Sequence, residues 1–244
     1  MILFLLSLRI VSLNPAVTQL LLLLGAEDSI CGAVLPVDSV LYNKIVICGN
    51  FAFPNIEKIV SLRPDLIFTA GGIQENIAYE LRKMGFKVYI YYPENFNEIL
   101  KNIEKIGKIV GTEDRAKFVC DSLSKEAKKI RKFCKRFKRK KIFFEIWSEP
   151  LITAGRKSFL TGLCDIINCE NIFSEVNSDY FQVSPERVIL RKPDYIIVLH
   201  EGISPLKNYG FHIIRINPDL LLKPNHLVLK GLNEIVKKIY LDGL

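Results

Sequence analysis

Side chains able to hold a small ligand stand where the predicted strands of this chain end. Open parallel α/β sheets bind ligands at the carboxyl ends of their strands, so these residues are the first candidates. The set is rich in aromatic rings with a few polar groups, which suits a large, flat, partly apolar ligand such as a corrin or porphyrin ring. The candidates are Asn14, Pro15, Phe51, Phe53, Gly71 and Gly72 in the first half and Trp147, Tyr180, Phe181, His200 and Asn217 in the second.

Residue patterns typical of catalysis are missing from the sequence. It contains no Gly-x-Ser-x-Gly, no His-Glu-x-x-His, no phosphate-binding glycine loop and no paired-carboxylate pattern. Three histidines without a carboxylate cluster argue against a site for bare zinc or manganese ions, although His200 at a strand end could ligate iron or cobalt. The sequence therefore predicts a protein that is not an enzyme and has no intrinsic cofactor or metal.

The six cysteines form no Cys-x-x-Cys pair, which argues against a structural zinc site. Two pairs, Cys31 with Cys48 and Cys164 with Cys169, could form disulfides in an oxidising compartment. Buried free thiols are the interpretation favoured here.

A stretch of the first half is repeated in the second. Residues 56–68 and 184–198 each contain a short helix, a basic residue, Pro-Asp and a buried strand, with Asp65 and Asp194 about 130 residues apart. The repeat predicts two similar lobes, and a cleft between lobes is a common place for a small ligand.

Strands alternate with helices in each half, which predicts parallel sheets. Residues 113–137 contain no Pro or Gly and place apolar residues every three or four positions, which is typical of a helix. The expected fold is α/β, with two Rossmann-like lobes joined by a single long backbone helix. The predicted domains are residues 1–111, the connecting helix 112–138 and residues 139–244.

Positive charge is concentrated in residues 125–141, which hold eleven Lys or Arg and one acidic residue, Glu126. Such a run could bind nucleic acid or an anionic membrane surface. The helical spacing of the apolar residues favours the other interpretation, in which the basic side chains form the solvated face of the connecting helix.

Eight short motifs, in order along nearly the whole chain, resemble substrate-binding proteins of the iron-complex and cobalamin ABC importer group. They lie at residues 9–15, 54–59, 63–66, 85–88, 144–150, 153–155, 169–173 and 182–186. The Trp-Ser-Glu-Pro at 147–150 and Thr-Ala-Gly at 153–155 are most similar to the cobalamin-binding members. One departure is Thr69-Ala70, where a cobalamin binder can offer an aromatic residue.

The resemblance implies a monomer that captures cobalamin or a related corrinoid in the cleft and delivers it to an ABC permease with its ATPase. It implies an extracytoplasmic location, periplasmic or at the cell surface, with the membrane reached through the permease and no binding of nucleic acid. Residues 1–8 are apolar but make up neither a complete secretory signal nor a lipid-anchor motif. Permease docking is implied for Glu75 and Glu201, with Glu186 as the fallback in the second lobe.

Three alternatives remain open at the level of the sequence. Haem or an iron–siderophore would be favoured if Tyr180 or His200 ligated a metal. A cytoplasmic two-lobed α/β enzyme would fit the incomplete signal but lacks a catalytic constellation. A nucleic-acid binder would act through residues 125–141.

Overall fold

The computed structural model describes residues 8–241, so the apolar stretch at the amino terminus lies outside it except for Leu8. The chain divides into two compact α/β units. The first contains the described residues up to Tyr92 together with Lys101–Phe118, and the second contains Pro93–Leu100 and the residues from Val119 onward.

The first unit is built on a five-stranded parallel sheet with strand order β3-β2-β1-β4-β5. Its strands are apolar almost throughout because helices cover a parallel sheet on both faces; Ile67 and Phe68 of β4, for example, are fully buried. The elements are β1 Ile10–Ser12, α1 Pro15–Leu23, β2 Ile30–Leu35, β3 Val46–Asn50, α2 Ile56–Ser61, β4 Leu66–Ala70, α3 Glu75–Lys83, β5 Val88–Tyr91 and α4 Phe96–Val110, whose first residues belong to the second unit.

The second unit contains a four-stranded parallel sheet, β12-β11-β6-β9, and a three-stranded antiparallel sheet, β10-β8-β7. The sequence predicted the parallel sheet but not the antiparallel one. The elements after α4 are α5 Glu113–Cys134, which begins in the first unit, β6 Lys140–Glu145, β7 Trp147–Ser148, β8 Leu151–Ala154, α6 Phe159–Leu163, β9 Cys169–Asn171, β10 Tyr180–Gln182, α7 Pro185–Arg191, β11 Tyr195–Val198, β12 His212–Arg215, α8 Pro218–Leu221 and α9 Val228–Tyr240.

The internal repeat has the same hydrogen bonds in both units. The carboxylate of Asp65 accepts the backbone N–H of Arg9 at 2.8 Å, and that of Asp194 accepts the backbone N–H of Lys141 at 2.7 Å. Each aspartate also donates its own N–H back to the same residue, at 2.8 Å in both cases. The basic residue before the proline is left-handed in both copies, with φ of 45° and 48°. The repeated Pro-Asp therefore fixes the start of two adjacent parallel strands in each unit.

Helix α5 is three residues shorter at its carboxyl end than the apolar spacing predicted. Asn168 Nδ2, from elsewhere in the second unit, donates to the carbonyl of Cys134, the last residue of α5, at 3.3 Å and to that of Phe137 after the helix at 2.9 Å. This bond satisfies exposed helix-end acceptors and allows the chain to turn toward β6.

All six cysteines are free thiols, as favoured from the sequence, and Cys31 is half-buried while the other five are buried. Burial raises the pKa of Cys48 and of Cys134 to about 11. These thiols therefore stay protonated near neutral pH and behave as small apolar side chains.

Candidate ligand-binding site

Asn14 and Pro15 follow strand β1 and open helix α1. Asn14 is the N-cap residue, and its Oδ1 accepts the backbone N–H of Ala16 at 2.9 Å. Both predicted site residues are buried, so Asn14 mainly satisfies a free N–H of its own helix. The two residues therefore fix the backbone between β1 and α1 and expose little side-chain surface.

The loop after β3 carries the two predicted phenylalanines in different environments. Phe51 is half-buried and packs against the apolar core of the first unit. Phe53 is 79% exposed, which makes it the ring that this loop presents. Asn50 fixes the loop, since its Oδ1 accepts the N–H groups of Ala52 at 3.0 Å and Phe53 at 2.8 Å.

Gly71 and Gly72 follow strand β4. A Cβ at Gly71 would lie 2.6 Å from Cδ2 of Tyr92, so only glycine allows that ring to lie against the chain there. Gly72 has φ of 65°, a left-handed conformation that glycine adopts without strain. Tyr92 is 46% exposed and adds a ring at the end of β5.

Gln74 connects three loops of the first sheet. Its Nε2 donates to the carbonyls of Leu13 at 2.8 Å and Phe51 at 2.7 Å, and its Oε1 accepts the N–H of Ala70 at 2.8 Å. The side chain is fully buried. Gln74 was not predicted from the sequence, where its only signal is a polar residue shortly after Gly71-Gly72.

In the second unit, the antiparallel sheet brings Trp147 and Tyr180 onto one face. Trp147 pairs with Ile152, and Ile152 pairs with Gln182, so these three side chains point to the same side. Tyr180 lies two residues from Gln182 and therefore shares that side. Strand spacing puts the Trp147 and Tyr180 Cα atoms about 12 Å apart. Both side chains are exposed, Trp147 by 55% and Tyr180 by 42%.

The polar ends of these two rings are turned toward the protein. Trp147 Nε1 donates to the carbonyl of Glu149 at 2.9 Å. Desolvation of the phenol raises the pKa of Tyr180, and the Ser158 hydroxyl only partly offsets it. The exposed part of each residue is therefore mainly ring surface, which is suited to stacking.

Phe181 lies on the opposite side of the same sheet. Its ring is half-buried and contacts Phe173 edge-on, with centroids 5.5 Å apart and an interplanar angle of 84°. Phe173 belongs to the apolar core of the second unit. The structure thus separates the predicted pair: Tyr180 faces outward, and Phe181 anchors strand β10.

His200 belongs to a buried polar network. Its Nε2 lies 2.8 Å from Oε1 of Glu145, whose Oε2 accepts the hydroxyl of Ser204 at 2.7 Å. Glu145 is fully buried and the His200 side chain is 3% exposed. Both oxygens of the Glu145 carboxylate therefore have a partner within the network.

This network lies behind Trp147, whose ring centroid is 6.4 Å from that of His200. A 3% exposed imidazole offers a ligand almost no surface, so His200 supports the aromatic face from within rather than extending from it. Glu145 and Ser204 were not predicted. A signal existed for Glu145, because a charged residue inside the apolar run at 142–146 must be paired when buried.

The remaining predicted residues lie at helix starts and in loops. Asn217 is exposed and caps α8, with its Oδ1 accepting the N–H of Asp219 at 2.9 Å. Glu75 is exposed, and its Oε1 accepts the N–H of Gly72 at 3.1 Å. Glu201 is exposed in the loop after β11.

Two features are absent from the part of the chain that the structure describes. Residues 8–241 contain no group of three or more His, Cys, Asp or Glu side chains placed to hold a metal ion. No helix within that range has the length and apolar character needed to cross a membrane.

Two α/β units with parallel sheets, aromatic loops at the strand ends and a long helix between β5 and β6 define a substrate-binding protein of an ABC transporter. The chain belongs to the periplasmic binding protein family, whose model matches residues 10–210.

Relatives agree with this class. The uncharacterized ABC transporter substrate-binding lipoprotein YvrC of Bacillus subtilis is 24% identical over 96% of this chain and 80% of its own length. The periplasmic vitamin B12 binding protein BtuF of Vibrio cholerae has the same fold, with a TM-score of 0.83 at 23% identity over 94% of this chain and 95% of that one. The periplasmic heme binding protein HutB of Vibrio cholerae is also similar, with a TM-score of 0.79 at 21% identity over 96% and 99%.

Proposed function

We propose that this protein captures cobalamin or a related corrinoid outside the cytoplasm and delivers it to an ABC permease, without catalysing a reaction. The observation that carries the proposal is the outward aromatic face formed by Trp147 and Tyr180. Phe53 and Tyr92 supply rings at the strand ends of the first sheet.

Aromatic surface suits a corrin ring because each stacked ring contributes about 0.5–1.5 kcal/mol beyond the area it buries. Loops held from within lose little freedom on binding, which favours affinity. Gln74 holds the loops of the first unit, and the Glu145–His200–Ser204 network holds the base of the aromatic face in the second. Pre-organised rings on a rigid base support capture of a large, flat molecule.

The environments of His200 and Tyr180 favour a corrinoid over haem. Proteins that fix haem iron supply an axial ligand, commonly imidazole or tyrosinate. His200 is buried against Glu145, and desolvation raises the pKa of Tyr180, which opposes formation of its phenolate. Cobalamin carries its own axial base and needs no ligand from the protein.

The same network argues against a hydrolytic enzyme. A serine nucleophile needs its hydroxyl paired with a base such as imidazole. Ser204 instead donates to Glu145, and the imidazole nitrogen nearest that carboxylate is already bonded to it. No hydroxyl among the described residues forms a hydrogen bond with His200, which supports a transport role.

Glu75 and Glu201 are the proposed contacts with the permease. Both carboxylates are exposed. Each follows the strand that belongs to the internal repeat, β4 for Glu75 and β11 for Glu201. Exposed Glu–Arg contacts set encounter rate and register more than affinity, and salt screens them. Reversing either charge is therefore expected to slow docking more than ligand binding.

Isothermal titration calorimetry with cyanocobalamin, and with haemin as the comparator, tests this function. We expect saturable heat at one site per chain for cyanocobalamin and weaker binding of haemin. Haemin binding more tightly, with a shifted Soret band, would move the assignment to haem transport. No heat with any metal–tetrapyrrole would overturn the proposed ligand class.

A further inference from the structure

The excess of positive over negative charge in this protein comes from one stretch of the sequence. Residues 125–141 hold eleven of the 34 basic side chains and one of the 26 acidic ones. The rest of the chain therefore has 23 basic and 25 acidic side chains, so its formal charge is slightly negative. The net charge of +8 comes entirely from seventeen residues.

The structure places four of these cations on one side of α5 and two more in the turn that follows the helix. The basic residues recur three and four positions apart, which is the spacing of a single helix face. The opposite face is apolar and buried through Ala127, Ile130 and Cys134. Six exposed basic residues lie on the side opposite these apolar residues, and we name them the cationic face: Lys125, Lys128, Lys129, Lys132, Lys135 and Arg136.

The charges of the cationic face are not neutralised by neighbours. None of its six side chains forms an ion pair with a residue in the described range 8–241. The one acidic residue of the stretch, Glu126, instead accepts a hydrogen bond from Asn233 of α9 at 2.8 Å. Like charges three or four positions apart destabilise a helix, so the cationic face lowers the stability of α5. Solubility alone does not require such a cluster of one sign.

Helix α9 extends the positive surface. It lies beside α5 through the Glu126–Asn233 bond and through Phe137, whose ring stacks on Tyr240 at 4.9 Å. Lys230 and Lys237 are exposed and share the helix face of Asn233. Glu234, which is half-buried, is the one acidic residue on that part of α9.

We propose that the cationic face binds an anionic lipid surface through the phosphate groups of its headgroups. Lysines outnumber arginines eight to three in residues 125–141, and a flexible ammonium suits diffuse attraction to many phosphates better than bidentate recognition of one. Polybasic segments are drawn to anionic membranes in this way. The site is independent of the ligand, so failure of the corrinoid assignment would leave it standing.

Nucleic acid fits the same surface less well. Single strands are held by stacking bases on exposed aromatic rings as well as by charge. Phe133 lies beneath the Arg136 guanidinium at 5.7 Å, and Phe137 packs against Tyr240, so both rings are occupied. The two rings within residues 125–141 are therefore partly covered, and this stretch offers mainly charge.

Vesicle co-sedimentation of the full chain tests the proposal. We expect binding to vesicles of phosphatidylcholine with about one third phosphatidylglycerol, none to phosphatidylcholine alone, and a steep loss as salt rises. The triple variant Lys125→Gln, Lys129→Gln, Lys132→Gln should lower the partition coefficient about tenfold or more, since each cation near the surface contributes to the attraction.

The matched control removes three other exposed lysines and changes net charge equally: Lys44→Gln, Lys108→Gln, Lys207→Gln. Equal losses in the two triple variants would overturn the proposal, because binding would then follow net charge rather than the cationic face. Absence of binding to the anionic vesicles would also overturn it. Tighter binding to a generic DNA duplex than to the vesicles would overturn it as well. So would full displacement of the protein from the vesicles by inorganic phosphate under conditions where chloride of the same ionic strength leaves it bound.

Discussion

Gln74 shows how one side chain can hold several binding loops in place. Replacing it with leucine keeps the volume but leaves the carbonyls of Leu13 and Phe51 and the N–H of Ala70 without partners. Each unsatisfied buried group costs about 1–3 kcal/mol, so Gln74→Leu should lower the free energy of unfolding by about 2–5 kcal/mol. Urea unfolding measures this loss.

The same variant should weaken cyanocobalamin binding, because the loop carrying Phe53 is no longer fixed. Asn76→Leu, at an exposed position of α3, is the control and should change neither quantity. An unchanged affinity in folded Gln74→Leu would contradict the positioning role.

The two faces of the antiparallel sheet predict opposite phenotypes. Tyr180→Leu removes an exposed ring and should lower ligand affinity about tenfold with little change in stability. Phe181→Ala removes a ring packed on Phe173 and should cost about 3 kcal/mol or more of stability. Calorimetric binding and thermal unfolding separate the two effects, and a loss of affinity confined to Phe181→Ala would contradict this assignment of faces.

Glu145 is a fully buried carboxylate with two partners, so truncating it leaves His200 and Ser204 unpaired. Glu145→Ala is expected to lower the free energy of unfolding by about 3–5 kcal/mol. Glu149→Ala, at an exposed neighbouring position, should change it by about 0.5 kcal/mol or less. Similar unfolding midpoints for the two variants would argue against a stabilising role of the network.

At the scale of elements, the connection between α8 and α9 contains the half-buried imidazole of His226. The Nδ1 of His226 has no hydrogen-bond partner among the described residues, and desolvation lowers the pKa of the ring. Protonation is therefore easier in the unfolded chain, so the stability due to neutral His226 is fully present above about pH 6.5 and declines below it.

We predict that the unfolding midpoint of the protein falls between pH 7 and pH 5.5 and that His226→Leu flattens this decline. The slope due to one proton is at most about 1.4 kcal/mol per pH unit. Urea unfolding at several pH values measures it. An equal slope in both proteins would assign the acid sensitivity to other groups.

Most helices and parallel strands could be predicted from the sequence, because their signals are local. Asn14-Pro15 predicts the start of α1, and Gly25 and Gly85 follow the ends of α1 and α3 closely. The antiparallel sheet could not be predicted this way, since β7 has two residues and its pairing with β8 depends on a turn at Glu149-Pro150. The carboxyl end of α5 was placed three residues too late, and Asn168, distant in sequence, donates to the carbonyls of Cys134 at this end and of Phe137 just after it.

The sequence was enough to predict which loops form the candidate site, but not the hydrogen bonds that hold those loops in place. Strand ends and aromatic residues identified Trp147, Tyr180 and Phe53, all of which the structure exposes. Gln74 and Ser204 were missed because hydrogen bonds between residues far apart in sequence leave no periodic pattern. His200 was assigned to the right loop, but its burial depends on Glu145 of another strand.

At the scale of the whole molecule, the internal repeat explains why a 244-residue chain forms two similar units. In each unit the same bonds from an aspartate to the backbone lie at the start of a strand pair, β1 with β4 and β6 with β11. In each unit a side chain that follows β4 or β11 also forms a hydrogen bond at the end of β1 or β6. Sequence patterning alone revealed the repeat. The units differ in the polar groups that make this contact: the amide of Gln74 in the first, and the His200 imidazole and Ser204 hydroxyl on the Glu145 carboxylate in the second.

Trp147 is the only tryptophan in the chain, so its fluorescence reports on the aromatic face alone. The most direct measurement is a titration of that fluorescence with cyanocobalamin, corrected for light absorption with free N-acetyltryptophanamide. We predict quenching beyond the correction that saturates at one equivalent per chain. A signal that follows the free indole at every concentration would contradict the account.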